Sequence, residues 1–382
     1  MNKKLQIKYI VYYLPPTFQM KSNQPSSNKK IYTKINENII LIHQDSMATM
    51  NFNSCNCYLI KINNNKYAII DPGCSKRNLN TTLKQNEIKF SEIKHFYITH
   101  GHSDHVGLID YLQKKNENMQ GYIHKLDKRF IESSKEYYNM LFDISLIKNN
   151  KKYKDFIDAL NYYSTPNSTI PIKQSFKMIF DIWNVKSRKI SNTFKDGEIL
   201  PGNLKVIHAP GHTPGMCMLY KEEDYLLFSS DIHLSSIGPN FSGNYTNISD
   251  FKASINKIIK LVESGIVKVI LSGHGKNPII ENLKKRLLDF YEDITAKQNQ
   301  LLKLLQEKSK LTLEQITNET FKEYIKRFEK FLHNTELRDT IVIAEASEMM
   351  SNLNILNELE RLGKVSKLKR ENEIYWSSYH FL

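Results

Sequence analysis

The chain has 382 residues, 40% hydrophobic and 11% aromatic; it is too apolar for a disordered protein and too long for one small domain, so a body of roughly 250–300 residues plus an appendage is expected. The formal charge is +14, but residues 297–382 hold 14 basic against 13 acidic side chains, so nearly all the excess lies on residues 1–296. That placement suits an anionic substrate or RNA near the body, or simply a solvated Lys/Asn-rich surface, and argues against a DNA-gripping tail.

Residues 1–30, with Pro15 and Pro16 and a polar stretch after Ser22, read as an N-terminal extension. Strand-like runs follow at Ile39–His43, Tyr58–Ile62 and Tyr67–Ile70, with a hairpin turn at Asn63–Asn65, and Asp71-Pro72-Gly73 halts the last of them. His95–Thr99 is a further short strand, and Val106–Lys115 reads as a helix. Residues 125–195 form an aromatic-rich helical insertion, in which Tyr137, Tyr138, Tyr162 and Tyr163 are read mainly as packing residues. Strands resume at Leu204–His208, Met216–Tyr220 and Tyr225–Phe228, then a helix at Asp250–Glu263 and a strand at Val267–Leu271. Strands alternating with helices point to a layered α/β architecture.

The tail is different. Leu283–Gln306 is one long amphipathic stretch, and Leu311–Glu319 opens on Thr312 with a Glu nearby, as a helix start does. Ile341–Leu362 is another helix closed by Gly363, and Val365–Leu368 with Glu373–Trp376 makes a hairpin. This is the order of a winged helix, with a boundary near residue 297, giving a main body over 31–296 and a winged-helix-like unit over 297–382. The four cysteines, Cys55, Cys57, Cys74 and Cys217, are too few for a disulfide framework and read as reduced thiols. No run approaches ~20 apolar residues, so no membrane span is expected. A convincing export signal is also lacking, and a cytoplasmic protein is expected, with an organellar presequence left open.

The chemistry concentrates in Thr99-His100-Gly101-His102-Ser103-Asp104-His105-Val106-Gly107, where four metal-capable side chains fall within six residues between a strand and a helix. Neutral imidazole and carboxylate are the donors that Zn²⁺ or Fe²⁺ take. Strand alternation sends His100 and His102 to one side, and the following turn swings Asp104 and His105 toward a second ion. Two ions need about six to seven donors, so more are required downstream. His212 lies in the loop Ala209-Pro210-Gly211-His212-Thr213-Pro214-Gly215, Asp231 ends the run Leu226–Ser230 and is placed to bridge, and His274 follows Val269–Ser272. Each candidate sits at the C-terminal edge of an apolar run. His208 and His233 flank these motifs and read as structural.

In order and spacing, Asp71, His100-x-His102-x-Asp104-His105, His212, Asp231 and His274 resemble the metallo-β-lactamase superfamily, over roughly residues 31–290. The resemblance implies a four-layer αββα sandwich and a dinuclear site. One ion would take His100, His102 and His212, the other Asp104, His105 and His274, and Asp231 would bridge them. Asp71 would steady the ligand loops from behind. Ser272 stands where the family often has Pro, and Ser230 where a Gly commonly precedes the Asp.

The implied enzyme is a metal-dependent hydrolase using a metal-bound hydroxide, with Asp104 as candidate proton carrier and two divalent ions, Zn²⁺ first and Fe or Mn as alternatives. The expected substrate is a small acyl compound, a thioester, lactone or related ester, as in hydroxyacylglutathione-hydrolase-like members. The alternative is an endoribonuclease acting on single-stranded RNA, as in the branch with a C-terminal winged helix. Oligomeric state is open, a homodimer included.

Overall fold

The computed structural model describes residues 30–43, 55–63, 65–73, 75–165, 167–183, 188–235, 238–328, 335–370 and 373–379. The expected extension lies outside them except for Lys30, as does Cys74. One mixed sheet has the order β1 (Tyr32–Lys34), β2 (Ile39–Ile42), β3 (Cys57–Asn63), β4 (Lys66–Ile70), β5 (Ile93–Ile98), β6 (Gln120–His124), β7 (Asn192–Phe194). The second has the order β12 (Val269–Leu271), β11 (Leu226–Phe228), β10 (Cys217–Lys221), β9 (Leu204–His208), β8 (Ile199–Leu200).

Period-two alternation decides which face goes where. Ile39, Leu41, Tyr58, Ile60, Ala68 and Ile70 meet Leu204, Val206, Cys217, Leu219, Leu226 and Phe228 in the core between the sheets. The opposite face of the first sheet, with Ile40, Ile42, Leu59, Ile69, Phe96 and Ile98, is covered by α1 (Lys76–Gln85), α3 (Ile109–Lys115) and the helices of the insertion. The outer face of the second, with Met218, Leu227 and Ile270, is covered by α8 (Ile248–Glu263) and α9 (Leu283–Lys308). The result is the expected αββα sandwich. Each Leu, Ile or Phe so withdrawn from water contributes about 1.5–3 kcal/mol, so a one-residue slip of any central strand would forfeit several of them.

The differences from expectation are local. The helix expected over Val106–Lys115 is two pieces, α2 (Ser103–Val106) and α3, parted at Gly107 and Leu108. Strand β6 went unread because Gly121 interrupts its apolar pattern. That glycine is required, because a Cβ there would lie 2.1 Å from the Phe96 ring. The insertion contributes α4 (Lys125–Glu132), α5 (Ser134–Leu141), α6 (Lys154–Ser164) and α7 (Gln174–Trp183), and Tyr137 and Tyr138 are buried in the core as expected.

In the tail, α9 passes through residue 297 without a break. It is followed by β13 (Lys310–Thr312), α10 (Leu313–Phe328), α11 (Thr335–Arg361), β14 (Val365–Arg370) and β15 (Glu373–Ser378), the three strands pairing antiparallel in the order β13-β15-β14. Thr312 caps α10 as anticipated, but its reciprocal partner is Gln315: Gln315 N donates to Thr312 Oγ1 at 3.2 Å, and Thr312 N to Gln315 Oε1 at 2.9 Å. Helix α11 joins two cores. Ile343, Ala346, Met349 and Met350 pack with the insertion, and Ile355, Leu356 and Leu359 with α8, α9 and Trp376.

Candidate metal centre

Strands β4, β5 and β6 run parallel, and on the other sheet β11 and β12 are parallel while β10 opposes both β11 and β9. The loops after β4, β5, β9, β11 and β12 therefore leave the sandwich at one edge. They carry Asp71, His100–His105, His212, Asp231 and His274 respectively.

Two groups form there: His100, His102, His212 and Asp231, and Asp104, His105 and His274, with the donor atoms of each within 4.8 Å of one another. His100 Nε2 and His212 Nε2 each lie 2.9 Å from His102 Nδ1. Asp231 divides itself between the groups. Its Oδ2 is 3.2 Å from His212 Nε2 and 3.8 Å from His100 Nε2, and its Oδ1 is 3.1 Å from His105 Nε2 and 3.3 Å from His274 Nε2. Asp104 Oδ2 lies 3.3 Å from His274 Nε2 and 3.7 Å from His105 Nε2. All seven candidates meet at this edge.

The hydrogen bonds behind the rings fix which nitrogens face inward. His212 Nδ1 is 3.0 Å from the Asn240 carbonyl, which can only accept, so the proton is on Nδ1 and Nε2 offers a lone pair. His105 Nδ1 likewise donates to Asp71 Oδ2 at 2.8 Å. His100 Nδ1 lies 3.2 Å from Ser230 Oγ, Ser230 donates to Thr99 Oγ1 at 2.8 Å, and Thr99 donates to Asp71 Oδ2 at 2.8 Å. Thr99 N also donates to Asp71 Oδ1 at 2.8 Å. One buried carboxylate thus orients a ring in each group. It reaches His105 directly and His100 through the Thr99 hydroxyl, which lies 3.2 Å from His100 Nδ1 and also accepts from Ser230.

These donors fit a pair of cations. Lone pairs on His100 and His212 are both aimed at His102 Nδ1, which has at most one proton to share. His105 Nε2 and Asp231 Oδ1 are buried 3.1 Å apart, and among the described residues neither has a hydrogen bond of good geometry. Burial and the neighbouring imidazoles hold His100 and His102 well below the usual histidine range. Burial opposes charge on His105 and His274 too, but Asp71, Asp104 and Asp231 around the first, and Asp231 and Asp104 around the second, outweigh it and raise both. Asp231 is pushed up by burial and pulled down further by His274, His100, His105 and His212, ending well below the carboxylate range. Nitrogen and oxygen donors in this number satisfy two divalent ions.

The family model described as the metallo-beta-lactamase superfamily matches residues 50–274. The chain belongs to the metallo-β-lactamase superfamily. It is 24% identical over 239 residues to the hydroxyacylglutathione hydrolase GloC of Haemophilus influenzae, covering 60% of this chain and 90% of that one. It is 31% identical over 87 residues to an acyl-coenzyme A thioesterase of Gallus gallus, covering 22% of this chain and 31% of that protein. Among solved structures, a metallo-beta-lactamase family protein of Thermus thermophilus superposes with a TM-score of 0.62 at 20% identity, over 90% of this chain and 99% of that one.

Both departures from the superfamily's common residues have structural uses. Ser230 adopts φ +52°, a left-handed conformation that a glycine would enter freely, and it uses its hydroxyl to link Thr99 with His100. Ser272 donates from Oγ to the His274 carbonyl at 2.8 Å and from N to Asn277 Oδ1 at 2.8 Å, and proline could make neither bond. His208 and His233 stay outside both groups. His208 Nε2 donates to the Pro214 carbonyl at 2.9 Å, and its ring stacks on His124. His233 packs against Phe290, and burial with the nearby His274 lowers it to about 3.

Asp127 escaped the sequence reading. It accepts from Gly101 N at 3.0 Å, Thr213 Oγ1 at 2.6 Å and Gly215 N at 2.7 Å, tying the loop of His100 to the loop of His212. Burial raises its pKa against the effect of those three donors. An Asp in the first turn of a helix looks like an ordinary dipole partner, so composition gives no sign of this role.

Proposed function

We propose that this protein is a dinuclear metal-dependent hydrolase of small acyl substrates, with a thioester as the leading class. His100, His102 and His212 would hold one ion, Asp104, His105 and His274 the other, and Asp231 lies between the two groups. The observation that carries this reading is Asp231, whose two oxygens face two separate histidine groups at 3.1–3.8 Å. Two dications held there would supply Lewis-acid chemistry toward water and the carbonyl oxygen, and Zn²⁺ is the first choice for so nitrogen-rich a set.

The chain's own residues do the rest. Asp71 and Asn240 fix ring orientation, Asp127 holds the two histidine loops at one spacing, and Asp104 is placed to carry a proton to the departing group. The acyl assignment is supported by the relatives named for thioester substrates. The tail, with three helices and a β14–β15 hairpin, is read as a winged-helix-like unit over 297–382 attached to a catalytic body over 31–296. The test assays purified protein on a panel of acyl-coenzyme A and acylglutathione thioesters and on labelled single-stranded RNA. Thioester turnover that stops on chelation and returns with Zn²⁺ is expected. RNA cleavage with an inert thioester panel would transfer the assignment to the endoribonuclease reading.

A further inference from the structure

We propose that Asn354, in the C-terminal helix α11, is a positioning residue for the metal centre. The inference rests on the assignment of His212 to the first ion. His212 is oriented from behind by a segment with no regular structure, residues 238–247, between Asp231 and α8. Three bonds join the two. His212 Nδ1 donates to the Asn240 carbonyl at 3.0 Å, Thr246 Oγ1 donates to the His212 carbonyl at 3.1 Å, and Asn247 N donates to the Gly211 carbonyl at 2.9 Å.

A loop without a ladder is held by packing and by side-chain bonds to its backbone, and here Phe241 anchors it in the core. Asn354 is buried and donates both amide protons into this loop, to the Phe241 carbonyl at 2.8 Å and the Gly243 carbonyl at 2.8 Å. Those carbonyls flank Ser242, which itself donates from N and Oγ to Asn240 Oδ1 at 3.0 and 2.8 Å. The path from α11 to the ring is therefore continuous: Asn354, the 241–243 backbone, Asn240, His212. On the other side, Asn244 donates to the Met140 and Asn139 carbonyls of the insertion at 2.8 and 3.0 Å. Asn354 also lies between Met350 and Ile355, where α11 passes from one hydrophobic core to the other, so its backbone is fixed from both sides. The tail is thereby part of the support of the site.

Asn352, two residues earlier on the same helix, is the internal control. It is buried and donates to Thr317 and Thr320 Oγ1 at 3.3 and 3.0 Å, wholly within the tail. The experiment titrates metal-free full-length wild type, N354A and N352A with Zn²⁺ in competition with a chromophoric chelator, alongside thermal melts. In N354A, one of the two binding constants is expected to weaken about tenfold, the low end for loss of an outer support, while the other stays within about twofold. N352A should lower the melting temperature and leave both constants unchanged. N354S, which keeps one donor, gives an intermediate loss and serves if N354A does not fold. Unchanged constants in N354A and N354S, or equal weakening in N352A, overturn the proposal but leave the metal site standing. Failure of wild type to bind two Zn²⁺ overturns both.

Discussion

Buried charge is handled in two ways in this molecule. At the sandwich edge, five imidazoles and two carboxylates face inward, and among the described residues no lysine or arginine forms an ion pair with the two carboxylates. Along α11, each buried acid meets a base from another part of the chain or the helix: Asp339 with Lys173 at 2.7 Å, Glu345 with Lys152, Glu348 with Lys297 at 2.5 Å, and Glu358 with Arg361 at 2.9 Å. The first arrangement gathers imidazoles and carboxylates at one point, and the second sets each acid against a basic side chain of the protein. Convergent metal-capable donors mark a candidate binding site, whereas matched acid–base pairs mark a seam.

The sharpest attempt to break this contrast is His102→Ala. His102 Nδ1 touches both other rings of its group, so its loss should bring turnover to background and bound metal below two per chain; full turnover in this variant would falsify the metal mechanism. Next is Lys297→Met, which leaves Glu348 buried without its base and should cost about 3–5 kcal/mol in denaturant unfolding. Metal stoichiometry should not change, and an altered metal count would mean that seam and site are not separable there.

Asp71→Asn removes the charge and turns one of two accepting oxygens into a donor, so Thr99 N on one side and His105 with the Thr99 hydroxyl beside His100 on the other can no longer all be served. Both metal affinities should fall, by about 10–100-fold each, read by chelator competition. A loss confined to one ion would show that the hydroxyl chain does not transmit orientation. The smallest effect is expected from Ser230→Gly. It relieves a left-handed φ of +52° but deletes one of the two hydroxyls beside His100, the other being that of Thr99. Unfolding free energy should change by no more than about 1 kcal/mol while one ion binds up to about tenfold more weakly. Metal affinity that improves in this variant would show that the hydroxyl hinders His100.

Much of the site was readable before any coordinates because its residues lie where apolar runs stop. His100, Asp231 and His274 follow β5, β11 and β12 within three residues, and Asp71 follows β4 directly. The tail was harder. β13 hid in front of a helix start, and α9 crosses the expected boundary at residue 297 while packing Leu301 and Leu305 into the same core as Leu287 and Ile294. A hydrophobic face shows that a helix is buried, but it does not name the partner.

The sequence by itself determined the strand alternation, the donor set and its order, because period and residue chemistry are local properties of a chain. Tertiary structure alone decided that Asp127 joins two distant loops, that Asp71 serves rings of both groups, and that Asn354 reaches the loop behind His212. A buried Asp or Asn is recognised only by what it bonds, and these partners lie 26, 88 and 113 positions away for Gly101, Gly215 and Phe241. Hydrogen bonds over such separations leave no periodic trace in the sequence, since folding alone brings their ends together.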